Sequence, residues 1–527
     1  MGRRWSFVRG EVLTIEASTW ISALKRKSEG IAGPVGGEGE RRRSLIGCEI
    51  MTPSTLDLRL DTLRATNELR AKALDDLGAF LVSAPDEELF RMSPLRYAAA
   101  NGISEQEAID LFLNAAHVGI LEFAWGVLCP GCMAFLTTPG GLRSLDQKKR
   151  CKFCSIDIEG AIDDRVEVAF TVAPSVRRIR FHSPETLDLR ADALRFYFSS
   201  SLSPESGPHR ALHNGILAAG RAPPGVAHEV RVEFPAGDAL LLAPTNHVAL
   251  YLHAHAGAPK EVSFDLLDDR AIPATLDVPV GPADLRIMNR TAQAAGYVIT
   301  STAGARWPDV ALPGQPLTHP ILPYLTGNRL VATQAFRDLF RAESIPSDGG
   351  LELKSVTVLF TDLTGSTALY ERMGDLRAYD LVRKHFGVLR SIAAAQGGAI
   401  VKTIGDAVMA SFADELGAMR AAILMNREIA GLQEANMPLK IGLHTGPCIA
   451  VELNERLDYF GRTVNIAARV QGVAAAGEIV CTEQVYDAPG VREAVAAAGL
   501  QVERGSAPLK GIAGDMPVVR LSRGGAS

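Results

Sequence analysis

Asp362 and Asp406 offer the clearest chemistry in this chain, because each stands where strand-like residues give way to a turn. Ahead of Asp362, Val356, Val358 and Phe360 alternate with Thr357, Leu359 and Thr361, and the small residues Thr364-Gly365-Ser366-Thr367 follow it. A carboxylate at a strand end, then a tight turn into a helix, suits a metal-bound phosphate. The carboxylate holds a hard cation and freed backbone N–H groups face the phosphate oxygens. The competing reading is an Asp that caps a helix after a strand. Asp406 sits in Gly405-Asp406, a hairpin signal between two apolar-rich runs. In a βαββ arrangement the first two strands run parallel, so both carboxylates reach one edge. Without a cation they would repel. Lys402 lies at even spacing from Asp406, on the same strand face, and Asn465 and Arg469 stand i, i+4 on one helix face.

A second set of ligating residues lies upstream. Cys129-Pro-Gly-Cys132 and Cys151-Lys-Phe-Cys154 supply four thiolates that can close a tetrahedral structural zinc site, with no position left open for chemistry. Disulfides suit a chain of cytosolic character less well, and a redox pair less still. Cys48, Cys448 and Cys481 read as plain thiols, the last two on buried strands. His228, His247, His253 and His255 show no ligand spacing and read as ordinary strand residues.

The elements around the two acids read strand, helix, strand, strand, helix, strand, a ferredoxin-like βαββαβ order within an α+β multidomain chain. The first helix starts near Ala368, carries Tyr379, Val382, Phe386 and Leu389 on one stripe, and stops at Gly397-Gly398. The second spans 414–432. A hairpin is expected from 439–444 and 449–453 around Thr445-Gly446-Pro447.

The runs FTDLTGST, KTIGD and DYFGRTVNIAAR, in that order, resemble the catalytic domain of the class III adenylate and guanylate cyclases over roughly 354–521. The resemblance implies conversion of ATP to 3′,5′-cyclic AMP and pyrophosphate by attack of the ribose 3′-hydroxyl on the α-phosphate. Two Mg²⁺ or Mn²⁺ ions per site would be held by Asp362, Leu363 and Asp406, with the triphosphate on the backbone of Leu363, Thr364, Gly365, Ser366 and Thr367. By the same resemblance Asn465 orients the ribose, Arg469 neutralises charge on the α-phosphate, and Lys510 touches the terminal phosphates. Lys402 and Asp458 match the pair that reads adenine; guanine presents the opposite polarity at those edges. Sites shared across a homodimer are implied, with the metal carboxylates from one protomer and Lys402, Asp458, Asn465 and Arg469 from the other. The alternatives are a guanylate cyclase, or a DNA-binding regulator using the cyclase domain as a nucleotide sensor.

The rest of the chain sets the context. With 527 residues, 47% apolar content and a net charge of −5, it has room for about three domains and no global attraction to nucleic acid or anionic membranes. No apolar run is long enough to span a bilayer, no signal peptide is evident, and a cytoplasmic location follows. Met1-Gly2 with Ser6 fits a permissive myristoylation pattern, and translation could begin at Met1 or Met51. Residues 1–50 read as a poorly ordered, Arg-containing tail. Residues 51–165 read as a winged-helix-like helical segment with the zinc ribbon, including a capping box at Ser104 and Glu107. Its second helix, from Glu105, is acidic, which suits packing better than phosphate contact. Residues 166–345 read as a β-rich sandwich or barrel, followed by an amphipathic helix at 333–341 and a linker, and 346–527 as the cyclase domain. A similar region precedes some bacterial-type cyclase domains, which implies a regulatory role for an unknown ligand or protein.

Overall fold

The computed structural model describes residues 54–66, 69–137, 148–151, 153, 156–159, 165–205, 207–244, 248–301, 321–340, 351–365, 371–431, 438–453, 456–512 and 514–523. The expected tail (1–50), the 342–350 linker, Ser366, Thr367, Cys48, Cys154 and His247 lie outside them.

Helices of eight residues or more open the described chain at α1 (Thr55–Thr66), α2 (Ala71–Ser83), α3 (Pro94–Asn101) and α4 (Glu105–His117), with the single turn Asp86–Leu89 between α2 and α3. Ser104 caps α4, its hydroxyl accepting from Glu107 N at 3.2 Å. The return half of the expected capping box is replaced, because the Glu107 carboxylate pairs with Arg70 at 3.1 Å. Ala108, Ile109, Leu111, Phe112 and Leu113 of α4 are fully buried. A helix buried at consecutive positions has no face to lay in a DNA groove, so this pair serves packing.

Strands β1 (Leu121–Leu128), β2 (Phe135–Thr137) and β3 (Val166–Val172) form a small sheet in the order β2-β1-β3. On its sequence β3 belongs with the β-rich block; instead it pairs antiparallel with β1 from Leu121↔Val172 to Val127↔Val166. Period-2 alternation marks a strand but does not name its partner. Helix α5 (Leu189–Tyr197) follows, then two sheets that share one core. The five-stranded sheet is ordered Thr275–Pro279, Val248–His255, Gly237–Ala243, Ala295–Ser301, Ile216–Ala222. The four-stranded one is ordered Ala271–Ile272, Glu261–Leu266, Gly281–Asn289, Ala227–Phe234. Short helices α6 (Gly327–Val331) and α7 (Gln334–Leu339) lead toward the last sheet.

That sheet comprises β4 (Leu351–Leu363), β5 (Gly398–Ile404), β6 (Ala407–Phe412), β7 (Leu439–Leu453), β8 (Arg456–Phe460), β9 (Ile479–Thr482), β10 (Leu500–Pro508) and β11 (Asp515–Arg523). Its order is β5-β6-β4-β7-β9-β11-β10, with β8 paired to β7. The segment β5-β6-β4-β7, with helices α8 (Asp375–Ala395) and α9 (Glu415–Gly431), is the ferredoxin-like βαββαβ unit. Helix α10 (Arg462–Gly472) crosses β7 and β4.

Strand β4 is buried on both faces. Leu359 and Leu363 join the core under α8 and α9, and Val356, Val358 and Phe360 join a core reaching into the accessory region. Each such side chain contributes roughly 1.5–3 kcal/mol of burial. Two expectations are corrected. The α8 stripe is Ala378, Val382, His385, Leu389 and Ala393, while Tyr379 is 59% exposed, because it sits one residue, about 100°, off that stripe. The expected hairpin around Gly446-Pro447 is one continuous strand, and the chain reverses between β7 and β8 instead. Pro447 is tolerated because it lies opposite the register shift between Leu353 and Val356, where the ladder is interrupted. No helix among the described residues is long and apolar enough to cross a membrane.

Candidate active site

The ladder brings the two acids together. Thr361 of β4 pairs with Val408 of β6, so Asp362 at the end of β4 lies beside the Gly405-Asp406 turn that begins β6. Burial, then the charge of Asp406, raises the Asp362 pKa; Lys440, its cross-strand partner on β7, and a hydrogen bond from Gln471 pull the other way. Asp406 Oδ2 is buried without a hydrogen-bond partner, as is Thr364 Oγ1. Like charges held together with an unsatisfied carboxylate oxygen fit a hard divalent cation.

The backbone of the turn is narrower as a phosphate cradle than the sequence implies. Leu363 N–H turns back to the Asp362 carboxylate, and Thr364 N–H donates to Pro438 O at 3.1 Å. Gly365, at φ +85°, is the first residue of the turn without such a commitment among the described residues.

Gln471 was not legible as a site residue. It reaches Asp362 because α10 crosses β7 over Gly442, where a Cβ would lie 2.1 Å from Gln471 N. Only a glycine permits that approach. His385 of α8 was missed too. It is 2% exposed, its Nε2 has no partner, and burial lowers its pKa to about 4 against the opposing charge of Asp406. The signal was present in the sequence as a polar residue on the buried stripe of a helix.

Lys402 and Asp458 form the second pair, with Lys402 Nζ donating to Asp458 Oδ2 at 2.6 Å. Asp458 Oδ1 accepts from Tyr459 N at 2.8 Å, which fixes the carboxylate plane. The strands bearing this pair are gripped by α7. Gln334 Oε1 accepts from Ile400 N at 2.8 Å, two residues before Lys402. Arg337 Nη1 donates to Leu457 O at 2.8 Å, one residue before Asp458, and its guanidinium lies 5.0 Å from the Tyr459 ring centroid. Sequence patterning marked α7 as amphipathic and could not show what it holds.

Asn465 and Arg469 lie on α10, the first exposed and the second half-buried. Arg469 sits beside the Lys510-Gly511 turn, its Nη2 3.5 Å from where a Gly511 Cβ would be. Among the described residues, no hydrogen bond or ion pair joins Lys402, Asp458, Asn465 or Arg469 to Asp362 or Asp406.

In the accessory region, the thiols of Cys129, Cys132 and Cys151 are buried within 4.8 Å of one another. The 3.8 Å between Cys132 Sγ and Cys151 Sγ matches the edge of a tetrahedron with metal–sulfur bonds of about 2.3 Å. Gly131 N–H points at Cys129 Sγ, 3.4 Å away, as it would toward a thiolate. These three residues fit zinc. His228 instead bonds Tyr297 OH at 2.9 Å, and His253 bonds Asp238 at 2.9 Å.

Residues 351–517 match the family model described as the adenylate and guanylate cyclase catalytic domain. Residues 54–338, more than half of the chain, match a family of unknown function (DUF5939), and the chain belongs to that family. Among curated relatives, a pH-sensitive adenylate cyclase of Mycobacterium tuberculosis is 30% identical over 232 residues, 42% of this chain and 56% of the relative. A receptor-type adenylate cyclase of Trypanosoma congolense is 25% identical over 208 residues, 32% of this chain and 28% of the relative. The chain thus spans about half, or less, of the length of these relatives. A crystal structure of the adenylyl cyclase CyaB from P. aeruginosa is 24% identical, covering 33% of this chain and 97% of that one with a TM-score of 0.29.

Proposed function

We propose that this protein is an adenylate cyclase, converting ATP to 3′,5′-cyclic AMP and pyrophosphate at sites shared across a homodimer. The observation that carries the reading is the meeting of Asp362 and Asp406 with an unsatisfied Asp406 oxygen, a pair that calls for cations beside the turn at Thr364-Gly365. Asp362 and Asp406, with Leu363 between strand and turn, would hold two Mg²⁺ or Mn²⁺ ions, whose charge acidifies the ribose 3′-hydroxyl and offsets that of the triphosphate.

The remaining roles fall to the chain's own residues. Lys402 donates to a ring nitrogen of adenine, and Asp458 accepts from the exocyclic amine. Their mutual ion pair keeps both at the spacing of those edges, and a carboxylate oxygen that already accepts one hydrogen bond retains a lone pair for a second. Guanine would set donor against Lys402 and acceptor against Asp458. Asn465 orients the ribose. Arg469 stabilises charge that develops on the α-phosphate, where a guanidinium fork is most effective, and Lys510, carried beside it, holds the terminal phosphates. Gly365, Ser366 and Thr367 supply the backbone donors. The accessory residues 54–338 regulate this centre through α7, and Cys129, Cys132 and Cys151, with Cys154, bind a structural zinc ion.

The test uses two inactive chains. Purified protein should form cyclic AMP from ATP with Mg²⁺ or Mn²⁺, and GTP should compete poorly. Asp362→Ala and Arg469→Ala chains should each be nearly inactive. Mixed and exchanged, half the dimers would carry one intact site, so activity should return to about a quarter of the original. No recovery despite demonstrated subunit exchange would overturn the shared site.

A further inference from the structure

The accessory region contains a cleft of about 600 Å³ that nothing in the cyclase reaction uses. Arg91, Arg96 and Arg195 line it, with Tyr97, Phe198 and Ser200 among the remaining walls. Its size suits a small organic molecule, since ligand sites commonly enclose about 300–1,000 Å³.

The charges around it are incompletely matched. Arg91 is 8% exposed; Nη1 donates to Phe196 O at 2.7 Å, and among the described residues its other guanidinium nitrogens have no acceptor. Arg91 also holds φ at +47°, in the left-handed region where a long side chain is rare. Arg195 is fastened by Nε to Glu87 O at 2.9 Å and by Nη2 to Phe90 O, which leaves Nη1 buried without an acceptor. Arg96 Nη1 reaches Ser200 O at 2.9 Å, and the Ser200 hydroxyl is buried and unpartnered. The nearby acids do not balance the three guanidiniums. Glu87 is committed to Arg180, Glu88 is exposed at the rim, and Glu167 lies buried near all three, held by Ser199 and in no ion pair among the described residues. Burial lowers the pKa of Arg91 and of Arg195 to about 10 against the opposing charge of Glu167, and both remain charged at neutral pH. Unsatisfied buried donors of this kind are costly unless a ligand completes them.

We propose that this cleft is a binding site for a small organic anion, a carboxylate or phosphate on an apolar or aromatic body. The acid group lies among Arg91, Arg96 and Arg195, and the body lies against Tyr97 and Phe198. The cleft is joined to the catalytic sheet by a short path. Leu322 lines it and donates from N to Ser201 O at 2.9 Å. Three residues on, Leu325 O accepts from Val168 N at 2.8 Å. Thr326 then caps α6, Asn328 of α6 donates to Ser355 O of β4 at 2.9 Å, and α7 follows. An anion that draws the arginines together therefore acts on the start of the segment that grips the Lys402 and Asp458 strands.

Benzoate and phenyl phosphate are the probes, titrated calorimetrically into the full chain, with benzylamine as the charge-reversed control. Expected are saturable binding of at least one anion, displacement of each anion by the other where both bind, and no binding of benzylamine; the tighter anion identifies the acid group. Arg96 is exposed, so Arg96→Glu should leave the thermal midpoint unchanged while weakening the anions at least about ten-fold. The more conservative Arg96→Gln, weakening them less, guards against a folding effect. Benzylamine binding as tightly as the anions, no anion binding up to about 20 mM, or affinity unmoved by both substitutions would overturn the proposal.

Discussion

Asp362 and Asp406 meet at the open end of β4, with Lys440 across the ladder. Arg91, Arg96 and Arg195 meet around a cleft above the buried Glu167. Both places hold more charge of one sign than their surroundings neutralise, but they are built differently. The acids stand where strand meets turn, Asp362 at the end of β4 and Asp406 in the turn that begins β6. The arginines come from two stretches, Arg91 and Arg96 from just before and within α3 and Arg195 from α5, and backbone carbonyls such as Phe196 O and Glu87 O hold two of them in place. A site on strand ends leaves a compact motif in the sequence. A site assembled from distant side chains leaves none.

The comparison breaks most decisively at Asp362. Asp362→Asn should cost at least about three orders of magnitude in turnover, since one of the two proposed metal carboxylates is lost. In metal-free protein the same substitution should raise the thermal midpoint, because repulsion with Asp406 is relieved. A lowered midpoint would mean that Lys440 and Gln471 already balance the pair.

The accessory region has its own large lever. Cys132→Ser should reduce bound zinc from one ion per chain to none by metal analysis, and should lower the stability of that region by several kcal/mol. Absence of zinc in freshly prepared, reduced wild-type protein would refute the site.

Acid should separate the two regions. Burial lowers the pKa of His385 and of His444 in the catalytic region from 6.5 to about 4, so the unfolded chain binds more protons between those values. Their stability contribution is complete above pH 6.5 and is lost as pH falls toward 4, roughly 3 kcal/mol for each buried imidazole. Glu167 in the accessory region has the opposite sign. Its raised pKa favours folding at low pH and opposes it as pH rises through that value. Hydrogen exchange between pH 7 and 4.5 should therefore show β4 and α8 losing protection before β1 and β3. The reverse order would contradict these assignments.

The smallest effect concerns the join. Arg337→Ala removes the bond to Leu457 O and the contact with Tyr459, leaving every proposed substrate contact in place. KM for ATP should rise a few-fold with kcat less affected, as expected when a binding pair loses its support rather than its charge. An unchanged KM would show that β8 holds Asp458 unaided.

Much of the catalytic region was legible because its signals are local. Alternation across 356–361, the Gly405-Asp406 turn and the i, i+4 pair Asn465 and Arg469 are short-range patterns, and the βαββαβ order follows from them. The two Cys-x-x-Cys pairs were legible for the same reason. Partner choice was not. The alternation of 166–172 marked β3 but could not say that it pairs with β1, and Gly446-Pro447 carried a turn signature inside what is one long strand. Tyr379 was placed on the wrong side of α8 because an aromatic residue one position from the stripe looks like part of it.

By itself, then, the sequence determined which residues could bind metal and nucleotide, since residue type and near spacing are written along the chain. Only the tertiary structure decided what surrounds them. Gln471 reaches Asp362 through a glycine crossing, Gln334 and Arg337 grip the strands of Lys402 and Asp458, and Arg91, Arg96 and Arg195 converge on one cleft. Such contacts join residues far apart in the chain. Their strength comes from shared burial, which no local pattern encodes.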